Sequence, residues 1–341
     1  MPSMRQKHHS GFTLMELMVS LAVFLVITSV VMSGMLQMMK TQGSVANRTE
    51  MHTSVRSATE LLQQEIGQAG RVSLPAAVLP VNITQDITAN PTTAQTVSIS
   101  STLNMFPQML LDIDAGQNFE VVTLTAVAPG TITAIFTRSH INPTTHTTAV
   151  QVSGAFGTGI VPPAAGLNCA TPGYLAYSGP GTGSDCNTLK LYGDINGDGN
   201  IVYVEYKCDT ANASKTSPGY LYRNQVADAV VVGTTKPAVT PAMYLLNNLE
   251  KNPNQAWDGC FTYQVQNAPG PAGNPVAFVT DVALTLTVQT QLRDPQTNDF
   301  QNETKALLNI TPRNVFYVWE ATSLGEVPRN QPMPANIASL L

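Results

Sequence analysis

The sequence predicts an α+β protein in which one long N-terminal helix packs on a mostly antiparallel β-sheet head. Three patterns predict it. From Leu17 to Leu36 the chain is apolar, relieved mainly by Ser and Thr, and so meets the roughly 20 residues a helix needs to cross a bilayer core. Further on, Val55, Ala58, Leu62 and Ile66 recur at helical spacing with polar residues between them, which continues the helix in amphipathic form. The rest breaks into short β-branched runs separated by Pro, Gly and Asn clusters such as "NAPGPAGNP", the pattern of strands and turns.

The helix is expected from about Phe12 to Ala69, roughly 85 Å at 1.5 Å per residue. Gly67, Gly70 and Pro75 mark its end, and Gly34 and Gly43 are its weak points. The Met-rich stretch Met32, Met35, Met38 and Met39 reads as lipid-facing and helix-packing surface. Strands are expected at 119–127, 131–137, 201–208, 277–290 and 314–321. Residues 74–118 pattern weakly and read as loops with small strands at one edge, and the tail "VPRNQPMPA" reads as an exposed extension.

At 341 residues, with 43% hydrophobic and 11% charged residues, the chain can bury a sizeable core. Its 22 acids against 17 Lys and Arg give a formal charge of -5. No broad basic surface follows, so nucleic acid is not the default partner. Arg5 and Lys7 precede the apolar run, which keeps that end cytoplasmic and exports the other. Cys169, Cys186, Cys208 and Cys260 lack zinc spacing. An even, well-separated set in an exported chain favours two disulfides. Of the three connectivities, Cys169 with Cys186 and Cys208 with Cys260 closes the shortest loops.

One acid interrupts this picture: Glu16, at the edge of the span, where an unpaired charge is costly. The residues Gly11-Phe12-Thr13-Leu14-Met15-Glu16, followed by an apolar helix and preceded by a short basic leader, resemble the class III leader of type IV prepilins and type II secretion pseudopilins. The resemblance implies that prepilin peptidase cuts between Gly11 and Phe12 and methylates the new terminus. Glu16 then stands where the family keeps a glutamate, and the ammonium of a neighbouring subunit is its expected partner.

On this view residues 1–11 are the leader, 12–39 the transmembrane and assembly half of the helix, 40–70 its amphipathic half, and 71–341 the exported pilin-like head. "VYVEYKCD", "GYLYRNQ", "CFTYQVQN" and "NITPRNV" are loosely similar in order to large minor pilins of the PilW type and the related J-type pseudopilin. The expected function is that of a minor pilin processed by prepilin peptidase. It would lie in the inner membrane with a periplasmic head, and then in a pilus through helix contacts with other pilins. The alternatives are a J-type pseudopilin of type II secretion and a pilus-borne adhesin or binding module.

"DINGDGNIVYVE" carries Asp194, Asn196 and Asp198 at positions 1, 3 and 5, Gly199 at 6, Asn200 at 7 and Glu205 at 12. This is the oxygen-ligand spacing of a calcium loop, and Ca²⁺ is the expected ion. The flanks read as strands, so Glu205 is far from Asp194 and a further ligand such as Asp185 or Asp209 is called for. Enzyme motifs fail: "GPGTGSDC" lacks the Lys-Ser/Thr ending of a phosphate loop, and there is no G-x-S-x-G or H-E-x-x-H. His140 and His146 flank a Pro-Thr turn, and Trp257, Tyr263, Trp319, Tyr220 and Tyr222 read as packing residues.

Overall fold

The computed structural model describes residues 11–72, 74, 80–142, 144–145, 147–227, 229–253, 259–270 and 274–341. The leader up to residue 10, Pro75, His146 and Trp257 lie outside them. The described chain forms two compact units. One contains the helix up to His52 with the segment Thr290–Gln301; the other contains Thr53–Gln289 and Asn302–Leu341.

Helix α1 runs Leu14–Gln68 without a break, and no proline interrupts it. It ends because Gly70 adopts φ +84°, a left-handed stop that suits glycine. A Cβ there would lie 2.7 Å from the Gly157 carbonyl oxygen, so no other residue fits. The freed amide of Gly70 donates to the Tyr192 carbonyl at 2.9 Å.

In the second unit, β1 (Asn82–Ile83), β2 (Asn90–Ser98), β3 (Leu110–Ile113), β4 (Glu120–Ala128), β5 (Thr131–Phe136) and β6 (Thr148–Val152) form an antiparallel sheet ordered β1-β6-β3-β4-β5-β2. Alternation along β5 buries Ile132, Ala134 and Phe136 on one face, the period-2 pattern of a half-buried strand. The expectation of edge fragments over 74–118 is corrected here. β3 lies inside this sheet, and Met105, Phe106 and Met109 belong to its core.

The short β7 (Phe156–Gly157) precedes a seven-stranded sheet. Its members are β8 (Thr188–Gly193), β9 (Val202–Asp209), β10 (Gly219–Val226), β11 (Tyr244–Glu250), β12 (Phe261–Pro269), β13 (Pro275–Gln289) and β14 (Asn302–Ile310). The path is β12-β13-β11-β10-β9-β8, with β14 paired to β13. Although β8 ends the path, all six of its residues are buried, because the segment around Ile160 covers its edge through the Val161 amide on the Lys190 carbonyl at 3.0 Å.

The sheet has two occupied faces. Tyr206 and Arg223 meet Glu65 of α1, where Val55, Ala58, Leu62 and Ile66 are also buried. Tyr192, Tyr203 and Val226 instead join the core of the six-stranded sheet, together with Ile337 and Leu340.

Two expectations fail near the C-terminal end. Residues 314–321 are not a strand: α2 spans Arg313–Ser323 directly after Pro312. Its buried residues Val315, Val318 and Thr322 follow a helical period, which outweighs the β propensity of its aromatic and branched side chains. The tail is packed rather than extended. β15 (Asn330–Gln331) is buried and pairs in parallel with β7, and α3 (Ala335–Leu340) buries Ile337, Ala338 and Leu340.

Candidate functional site

Every residue from 11 to 42 is exposed, including Phe12, Phe24, Ile27 and Met39. Such a continuous apolar surface is far larger than a water-facing helix carries. Its length and composition suffice to cross a membrane. Three hydroxyls within it are satisfied by the preceding turn: Ser20 donates to the Leu17 carbonyl at 3.0 Å, Thr28 to Phe24 at 2.8 Å and Ser29 to Val26 at 2.8 Å. Turning back onto the preceding turn lets these residues sit in an apolar stretch without an unpaired donor.

Gly11, Phe12 and Glu16 lie within six residues of one another at the N-terminal end of this helix. Thr13 precedes the first helical residue, and its N–H and hydroxyl both donate to Glu16 Oε2, at 3.0 and 3.1 Å. The Glu16 N–H donates back to Thr13 Oγ1 at 3.3 Å. This is a capping box, in which the residue three places into a helix bonds the one that starts it. The T-x-x-E spacing at Thr13 was available in the sequence as a helix-start signal and went unused there.

Farther along the same unit, the segment Thr290–Gln301 docks on the helix. Asp294 is buried; its Oδ2 accepts from the Ser44 hydroxyl at 3.0 Å, and Gln296 Nε2 donates to Thr41 Oγ1 at 3.1 Å. Arg48 and Gln301 also pair. Gly43 is explained here rather than as a weak point, since a Cβ on it would lie 3.1 Å from Pro295 Cγ. The foremost influence on Asp294 is the Gln296 N–H, which with the Ser44 hydroxyl holds its carboxyl below the usual range against a smaller effect of burial.

In the second unit, Glu65 is the buried acid of α1. Arg223 holds it in a fork, Nη2 to Oε1 at 2.6 Å and Nε to both oxygens at 3.0 Å, and the Tyr206 hydroxyl donates to Oε2 at 2.5 Å. Burial, reinforced by Glu65, pushes the Tyr206 phenol far up, so it remains a donor. Sequence reasoning missed Glu65. Its only signal was an acid next to Ile66 on the apolar stripe.

The calcium expectation loses its last position. Gly193 pairs with Val202, so residues 194–201 form the turn between β8 and β9, and Glu205 lies three residues up β9 opposite Lys190. At about 3.4 Å per residue that is roughly 10 Å from the turn. Glu205 is also engaged, accepting from Tyr203 Oη at 2.9 Å and Lys236 Nζ at 2.8 Å. Neither suggested substitute is near: Asp185 precedes β8, and Asp209 lies at the far end of β9 opposite Tyr220. Asp194, Asn196, Asp198 and Asn200 remain together in the turn.

Cys169 is bonded to Cys186 and Cys208 to Cys260, closing separations of 17 and 52 residues. His140 is fully buried between two carboxylates, Asp114 Oδ2 at 3.1 Å and Glu120 Oε1 at 2.7 Å, which engage both ring nitrogens. Tyr263 is a packing residue, its hydroxyl donating to the Asp185 and Thr188 carbonyls at 2.8 and 3.0 Å.

An apolar arm capped by Thr13 and Glu16 and followed by an antiparallel β head fits membrane anchoring. Residues 6–32 match the family model for the prokaryotic N-terminal methylation motif, which supports a type IV pilin- or pseudopilin-like protein and points to a structural rather than a catalytic role. No curated protein and no solved structure matches the chain.

Proposed function

We propose that this chain is a minor pilin, a structural subunit of a type IV pilus. Prepilin peptidase cuts it between Gly11 and Phe12 and methylates Phe12. Before assembly the apolar half of α1 lies in the inner membrane, with Arg5 and Lys7 on the cytoplasmic side and the head in the periplasm. During assembly the arm packs among the helices of other pilins. Glu16 then meets the ammonium of a neighbouring subunit, which lowers the cost of burying its charge and fixes axial register.

The observation that carries this reading is the methylation motif on a helical arm exposed from residue 11 to 42. The bulk of a head built from two sheets favours a minor position, near the tip or in the complex that primes assembly, since a filament made only of such subunits would be crowded. The decisive experiment is mass spectrometry of the mature N-terminus. N-methyl-phenylalanine at position 12 is the expected result, and an intact leader on the assembled protein refutes it. Deletion of the gene separates the two machineries: a minor pilin is required for piliation, whereas a J-type pseudopilin is required for protein secretion.

A further inference from the structure

The turn between β8 and β9 holds a carboxylate that the pilin reading does not use. Asp194 is 1% exposed. Its Oδ1 faces into the turn, accepting the Gly199 N–H at 3.1 Å. Its Oδ2 is buried and accepts no hydrogen bond, an unfavourable state for a charged oxygen. Its counter-charge is Arg71, whose Nε pairs with it at 3.6 Å, outside hydrogen-bonding distance, from a side chain that is 45% exposed.

The rest of the turn offers further oxygens. Asn196 and Asp198 are exposed two and four residues on, and Asp198 Oδ1 accepts the Asn200 N–H at 2.9 Å. Gly197 and Gly199 take φ +72° and +88°, so the backbone curls as tightly as a ligand loop requires. Among the described residues no three His, Cys, Asp or Glu side chains converge on a metal geometry. A cation here must therefore be held partly by amide and carbonyl oxygens, which excludes ions that favour nitrogen or sulfur.

We propose that residues 194–200 bind one Ca²⁺ through the carboxylates of Asp194 and Asp198, the side-chain oxygen of Asn196 and the backbone carbonyl of Asn200, with water completing the shell. Glu205 takes no part. Several protein oxygens on a pliable turn suit Ca²⁺ better than Mg²⁺, which demands near-ideal octahedral geometry and keeps its water. With two carboxylates and no bidentate glutamate the site is weak, with Kd about 10⁻⁴ to 10⁻³ M, the range of extracellular modules.

The turn is also a junction. The Asp194 N–H donates to the Arg71 carbonyl at 2.8 Å, just after α1 ends, and Asn104 donates to the Gly199 carbonyl. Ca²⁺ bound there stiffens the link between the helix end, the seven-stranded sheet and the segment that leads into β3.

Isothermal titration of the detergent-solubilised full-length chain with CaCl₂, paired with thermal melts in CaCl₂, MgCl₂ and EGTA, tests this. The expected result is one saturable Ca²⁺ site, a melting temperature raised by millimolar Ca²⁺ more than by Mg²⁺, and at least tenfold weaker binding in Asp198→Asn. Because Asp198 is exposed, that variant keeps the fold even if Asp194→Asn does not. Arg71→Ala, which removes the competing cation, should bind at least as tightly as wild type. Absence of binding up to about 10 mM Ca²⁺, above the weakest extracellular sites, or unchanged affinity in Asp198→Asn, overturns the proposal. These readouts require neither processing nor piliation, so they fail or succeed independently of the pilin assignment.

Discussion

Thr13 and Glu16 satisfy each other: one carboxylate oxygen takes both the N–H and the hydroxyl of Thr13, and Thr13 Oγ1 takes the N–H of Glu16. The charge at the start of the apolar helix is therefore already in use as a helix cap. Any partner it meets in a filament competes with that cap.

Two substitutions separate the roles. Glu16→Gln keeps a residue that can close the box but removes the charge, whereas Thr13→Ala removes the cap at a cost of about 1 kcal/mol and keeps the charge. Both should be processed and inserted. Glu16→Gln is expected to assemble poorly and Thr13→Ala nearly normally, as counted by electron microscopy of pili; full piliation of Glu16→Gln would refute the charge-pairing role.

Breaking the Glu65–Arg223 fork leaves a buried charge without its partner. Either Glu65→Ala or Arg223→Ala should destabilise the head by about 3–5 kcal/mol. The double variant should cost much less than the sum of the two. Urea unfolding followed by circular dichroism measures all three.

Asp294 makes the docking of residues 290–301 on α1 sensitive to acid. Its carboxyl is depressed in the folded state, so its stabilisation is complete above the unfolded value of about 3.9 and is lost as pH falls through the lower folded value. Hydrogen exchange of amides 290–301 should accelerate below about pH 4. Asp294→Asn should exchange fast already at neutral pH, with a flattened pH response.

The two disulfides should contribute unequally. Loop-closure entropy gives about 3 kcal/mol for the shorter Cys169–Cys186 loop and about 4 kcal/mol for the Cys208–Cys260 loop. Cys208→Ser/Cys260→Ser should therefore melt lower than Cys169→Ser/Cys186→Ser, as read by calorimetry.

The long helix and the strands β4, β5, β9 and β13 were legible because one local period dominates each segment. Residues 314–321 misled because Val315, Phe316, Tyr317, Val318 and Trp319 carry strand propensity, while the burial of Val315, Val318 and Thr322 that makes them a helix depends on the tertiary surface beneath. The tail was opaque for a similar reason: three prolines and a polar run suggest exposure, yet β15 is held by β7, over 170 residues earlier in the chain. Of the functional features, Glu16 stood out as an acid in an apolar run. Glu65 did not, because a lone glutamate on an amphipathic helix is ordinarily solvated, and only the arrival of Arg223 and Tyr206 buries it. The turn at Asp194 was visible as a motif, but motif spacing counts residues along the chain, and the extension of β9 carries Glu205 away from it.

The Glu65 fork also dictates an order of events. Glu65 precedes Tyr206 by 141 residues and Arg223 by 158, so during synthesis the helix emerges long before the groups that receive it. Until β9 and β10 follow, Val55, Ala58, Leu62 and Ile66 have no sheet to cover them. Glu65 therefore closes onto the sheet only once β9 and β10 have joined it.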